Sequence, residues 1–147
     1  MQAMGLRSGA SHTEFIRSAA TGQITFLETS ARVGGAHISE LVEAATGLNL
    51  WAEWAKVEVA GETGNYEPSA DSGMYAGLLI SLARQQQPDT SAYNDPEVVW
   101  RMEREHHVGL IVRSHSDDRV QTLLDAYARR VQADFHAALP PPETATN

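Results

Sequence analysis

A chain of 147 residues with 42% apolar residues, a formal charge of −8 and a single lysine, Lys56, can bury a core, but it lacks the clustered basic charge needed to displace counterions from nucleic acid or an anionic membrane. The ten arginines are scattered, and the absence of cysteine excludes a disulfide framework and thiolate chemistry. The amino terminus has no apolar signal region, and the longest apolar run is about half of the roughly 20 residues a membrane helix needs, so a cytoplasmic protein is expected.

In chain order, Ser11 to Arg17 and Gln23 to Thr29 are short runs rich in Thr, Ile and Phe around Ala20-Thr21-Gly22. They predict a β-hairpin closed by a three-residue loop, with Gly22 in the left-handed position that only glycine takes without a Cβ penalty. That loop would set Phe15 opposite Leu27, Glu14 opposite Glu28 and His12 opposite Ser30. Alternation then turns Phe15 and Leu27 to a core and His12, Glu14, Glu28 and Ser30 to the other face.

Gly34-Gly35 breaks the strand, and Ile38, Leu41, Val42 and Ala45 follow at helical spacing up to Gly47. Asn49 is a good N-cap for a second helix carrying Leu50, Trp51, Trp54 and Val57 on one face, expected to be a core or subdomain contact, with Lys56 a solvated charge. Gly61 to Gly73 reads as a loop, and Asp71, Ser72 and Tyr75 around its end as candidate pocket lining.

Tyr75 to Leu82 is apolar without a clean period and is read as a buried strand. Gln85 to Pro96 is a connector, and Val98 to Met102 and Gly109 to Arg113 are further strands. His106 and His107, adjacent on a strand, would point to opposite faces and cannot share one ion. His115 and His136 are expected on the surface. The last helix carries Val120, Leu123, Leu124, Tyr127, Val131, Phe135 and Ala138 at spacings of three and four, behind Ser116 as N-cap and Asp117 and Asp118 in the first turn. Pro140-Pro141-Pro142 would end it. The fold class expected is α+β, an antiparallel sheet with helices packed on one face.

Chemistry concentrates on the hairpin. Two directly opposed carboxylates repel, so Glu14 and Glu28 call for a countercharge. Arg32 is one candidate; a hard divalent cation is better, because Mg²⁺ prefers one or two carboxylates together with waters and phosphate oxygens. A solvated pair with both side chains in water is the plain alternative. His12 with the two glutamates would make a zinc or manganese site only if the strand bends.

The run Gly9-Ala10-Ser11-His12-Thr13-Glu14-Phe15, then Phe26-Leu27-Glu28-Thr29-Ser30-Ala31-Arg32-Val33-Gly34-Gly35 and the helix from Ile38, resembles the ATP-grasp superfamily, nearest its carboxylase and glycinamide-ribonucleotide-synthetase-like branch. The resemblance implies a partial ATP-grasp fold in which Glu14 and Glu28 hold Mg²⁺ or Mn²⁺ against the phosphates of ATP. Arg32 would steady the phosphate or a small carboxylate substrate, and Ser30 would stand at the metal-binding Asn of the family's Glu-x-Asn-x-Arg motif. It further implies residues 1–60 as the metal-binding half, 74–139 as a carboxyl-terminal subdomain and 140–147 as a disordered tail.

The family's upstream lysines and glycine-rich phosphate loop have no counterpart before residue 10. The chain is therefore expected to be the carboxyl-terminal part of a longer ligase, inactive by itself, with exposed apolar surface that drives self-association. The competing class is a non-catalytic metal-binding or interaction module that kept the fold.

Overall fold

The computed structural model describes residues 5–61 and 64–136, in two compact units divided after Gly73. The first holds β1 (His12–Arg17), β2 (Ile24–Ser30), α1 (Ile38–Thr46) and α2 (Leu50–Ala60); the second holds β3 (Tyr75–Leu82), β4 (Val98–Arg101), β5 (His107–Ser114) and α3 (Asp117–Phe135). The fold is α+β, with antiparallel sheets as expected.

In the first unit, β1 and β2 form the predicted hairpin, but the loop and part of the register differ. Ser18 and Gln23 close it, with the Ser18 N–H on the Gln23 carbonyl at 2.9 Å and the Gly22 N–H back on the Ser18 carbonyl at 2.8 Å. Four residues, Ala19 to Gly22, thus make the loop instead of three, with Gly22 left-handed at φ 71°. Near the turn Phe15 therefore pairs with Phe26, not with Leu27, and a bulge before Glu14 restores the expected pairs Glu14 with Glu28 and His12 with Ser30. The extra residue, Leu27, is accommodated at that bulge.

The expectation that Phe15 and Leu27 face a core is also corrected. Phe15, Ile16, Ile24, Phe26 and Leu27 are each more than half exposed, because a two-stranded ribbon has two faces and two open edges and buries neither face by itself. Phe15 and Phe26 rest edge-to-face at 6.0 Å.

After Val33 and Gly34, both buried, the chain passes through left-handed Ala36 (φ 51°) and His37 (φ 62°) into α1, which starts without a side-chain cap. Gly47 ends α1 at φ 80°, its N–H bonded to the Glu43 carbonyl. The Asn49 side chain caps α2 by accepting from the Ala52 N–H at 3.0 Å. Ser72 fastens the end of the following segment to α1 through the Ala45 and Thr46 carbonyls.

In the second unit β5 lies between β3 and β4. Val108, Leu110 and Val112 alternate toward α3 and are buried with its Val120, Leu123, Tyr127, Val131 and Phe135, each aliphatic side chain contributing about 1.5–3 kcal/mol. The helix comes so close to β3 that a Cβ on Gly77 would lie 2.4 Å from Leu124 Cδ1. Ser116 caps α3 through the Arg119 N–H. Ala138, the three prolines and the tail lie outside the described residues. His106 is not a strand residue: it turns the chain into β5 at φ 58°.

Candidate metal and anion site on the hairpin

The ladder sets Glu14 directly opposite Glu28. Opposed residues of an antiparallel pair share a face with Cβ atoms about 4.5–5.5 Å apart, so the two side chains leave the ribbon side by side. Glu28 is exposed and Glu14 half-buried. His12, two residues from Glu14, shares that face and directs Nε2 to the Glu14 carboxylate at 2.9 Å. Its ring is mostly buried against Gly34, where a Cβ would lie 3.1 Å from Nδ1. Ser30, opposite His12, is half-buried at the end of β2.

Arg32 does not neutralise the pair. Its guanidinium donates to the Val33 carbonyl at 3.0 Å and lies alongside Gly35, which brings it to the start of α1. The first turn of that helix has no side-chain cap, but it already holds the Glu40 carboxylate, bonded by His37 and Ser39, so the guanidinium alone supplies positive charge there. Among the described residues no group of three or more His, Asp or Glu side chains converges as a ready-made metal centre. That donor set, two hard carboxylates and no third protein ligand, suits a cation that keeps its waters or takes phosphate oxygens, and does not suit tetrahedral zinc.

A second feature of the first unit was not legible in the sequence. One face of α2, Leu50, Glu53, Trp54 and Val57, lines a cleft of about 330 Å³ whose other wall includes His12 and Gly34. On this helix the buried residue is Glu53, whereas Trp51, expected to pack, is 55% exposed. Glu53 accepts from Lys56 Nζ at 2.5 Å, from the Tyr66 hydroxyl at 2.7 Å and from Ser69 Oγ at 3.4 Å. Lys56 is thus an ion-pair partner and not simply a solvated charge. The ammonium first, and then the Tyr66 hydroxyl, hold the Glu53 carboxyl below the usual range, while the carboxylate pushes the Tyr66 phenol up. The only trace in the sequence is an acid at i+3 in an otherwise apolar stripe.

No protein-family model matches the chain, and no curated protein matches it. Among solved structures the chain is similar to phosphoribosylglycinamide synthetase from Anaerococcus prevotii, with a TM-score of 0.52 and 16% identity over 95% of this chain. It spans 39% of the length of that synthetase. At this identity the likeness is one of fold, and it agrees with the partial ATP-grasp fold implied by the hairpin motifs. Among the described residues no helix is long and apolar enough to cross a membrane.

Proposed function

We propose that this chain is part of an ATP-dependent, Mg²⁺-dependent ligase that activates a carboxylate as an acyl phosphate for attack by an amine or similar nucleophile, with residues 1–60 as its metal-binding half. The observation that carries the reading is the Glu14–Glu28 cross-strand pair, two like charges in register from which the Arg32 guanidinium is turned away to the Val33 carbonyl. Glu14 and Glu28 would hold Mg²⁺ or Mn²⁺, with Ser30 at the edge of the same face. Bound there, the cation supplies charge neutralisation at the phosphate oxygens of ATP.

Arg32 binds and orients the anion, since a planar guanidinium matches a carboxylate or a phosphate in bidentate fashion. In the reaction a substrate carboxylate oxygen bonds to the γ-phosphorus as the bond to ADP breaks. The amine nitrogen then bonds to the carbonyl carbon, inorganic phosphate leaves with the electron pair, and the amine gives up a proton. Two residues act before any chemistry: His12 fixes the Glu14 carboxylate, and its own ring is fixed by Gly34.

A non-catalytic module is the second reading, favoured by the exposed apolar residues of the hairpin, which suit a partner surface. Paramagnetic broadening by Mn²⁺ in an NMR titration tests the site itself. Broadening centred on residues 12–16 and 26–32, and abolished by Glu28→Gln, is the expected result. Broadening centred on the Asp117–Asp118 turn instead would remove the hairpin from consideration.

A further inference from the structure

The geometry points to the cleft beneath α2 as a binding site for a small primary ammonium ion with a flat apolar body, held by Glu53 between Trp54 and Tyr66. An amphipathic helix normally turns its apolar stripe into a core, yet here Leu50, Glu53, Trp54 and Val57 face open space of about 330 Å³. That volume is at the lower end of the range for small-molecule sites. The residue in the middle of the stripe is a carboxylate, and burying one is costly unless its charge has a use or a partner.

Partners explain part of this. Tyr66 and Ser69 tie the segment after α2 to the helix through Glu53, and Lys56 balances its charge from a half-exposed position. A tether accounts for the buried acid but not for the apolar space left beside it. A carboxylate offers about four lone-pair sites and three donors reach this one, so one acceptor position remains. Since Glu53 stays ionised, that position selects a donor that carries charge.

The walls fit the rest of such a ligand. Trp54 and Tyr66 present aromatic surface, which attracts cations through the negative faces of the rings. The Trp54 indole is held in place by its N–H on Glu58 Oε1 at 2.8 Å. Gly34 and Ile38 close the opposite side without adding a charge, and an anion would meet Glu53 head-on. His12 lines the cleft and also bonds Glu14, so the ligand would sit beside the hairpin face. The inference rests on the ligase reading only for the role of the amine as nucleophile; the binding itself stands apart from it.

Benzylamine, benzyl alcohol and benzoate, titrated into the full chain without ATP or metal and followed by NMR at the Trp54 indole N–H, make the test. Benzylamine should bind about tenfold or more tightly than benzyl alcohol, the worth of a charge-assisted hydrogen bond, and benzoate should not bind. Glu53→Gln should abolish the preference for the amine, and Val57→Phe, which fills the cleft and leaves the Glu53 partners in place, should abolish binding. Asp125→Asn, which removes the same charge from the second unit, should change nothing. Equal binding of amine and alcohol, no binding by either, or an unchanged preference in a folded Glu53→Gln protein would each overturn the assignment. Because metal is absent, failure here leaves the hairpin site standing, and failure of the hairpin site leaves this one standing.

Discussion

Glu14 and Glu28 are direct cross-strand partners, although a bulge between Glu14 and Phe15 shifts the register from there to the turn. The bulge is what makes the pair possible. A four-residue loop continued without it would have set Glu14 opposite Leu27 and turned Glu28 to the other face. One extra residue in β2 therefore separates a pair of facing carboxylates from two unrelated charges.

Metal affinity should follow from that pair. Two carboxylates without phosphate oxygens supply too few ligands for a tight site, so Mg²⁺ or Mn²⁺ should bind weakly. Glu28→Gln should remove most of the heat measured by calorimetry, while His12→Ala, which removes only a group bonded to Glu14, should leave it nearly intact. The reverse order would point to a zinc-like site built on His12.

A stability prediction concerns the closest approach in the second unit. A Cβ at position 77 would lie 2.4 Å from Leu124 Cδ1, 2.9 Å from Val120 Cγ1 and 3.0 Å from Leu124 Cγ, so rotation of one methyl cannot relieve it. Gly77→Ala should cost about 1–3 kcal/mol, the usual range for overpacking. The urea midpoint reads this directly, and Leu124→Ala in the same chain should recover part of the loss.

How far the sequence could be read depended on the range of the interactions. Helix α3 was legible because its core residues repeat at the helical period and Ser116 marks its start. Strand β3 shows no period because Leu79 packs on the α3 side while Leu78 and Ile80 supply apolar residues to the other face. In the hairpin, Phe26 and Leu27 are equally apolar, so nothing local told which of them would meet Phe15. The buried Glu53 was beyond reach for a different reason: its partners Tyr66 and Ser69 lie 13 and 16 residues away, and only the fold brings them back.

Acid should weaken the second unit through the cluster at the start of α3. Arg119 bonds Glu97 at 2.8 Å and Asp95 at 3.1 Å, and the Tyr127 hydroxyl also donates to Asp95. Tyr127 first, and then Arg119, hold the Asp95 carboxyl below its ordinary range; for Glu97 the hydrogen bond from Arg119 leads. With folded pKa values below the unfolded ones, about 3.9 for Asp and 4.3 for Glu, this stabilisation is present above those values and lost as pH falls through the folded ones. The urea midpoint should therefore drop below about pH 4.5. Arg119→Met should be less stable at pH 7 and show a shallower acid slope; an unchanged slope would mean that other carboxylates set it.

The exposed hairpin leads to the last prediction. Phe15 and Phe26 are 59% and 56% exposed, Ile24 is 66% exposed, and the register puts all three on the face opposite Glu14 and Glu28. Contiguous apolar patches of several hundred Å² tend to be partner surfaces or aggregation sites, and among the described residues neither edge of this two-stranded sheet pairs with a further strand. The chain should therefore self-associate in a concentration-dependent way, and Phe26→Thr, which keeps strand propensity and removes the ring, should reduce it. Turnover of ATP by these 147 residues should stay at background even with Mg²⁺, because their one lysine, the residue type that would orient a triphosphate, is committed to Glu53. Orientation of that kind supplies about 7–11 kcal/mol of barrier reduction. Sedimentation velocity over a range of concentrations, with ADP release measured across carboxylic acids and amines, covers both halves. A monomer at every concentration would deny the hairpin a role as a partner surface, and robust ADP release would require a nucleotide site elsewhere in the chain.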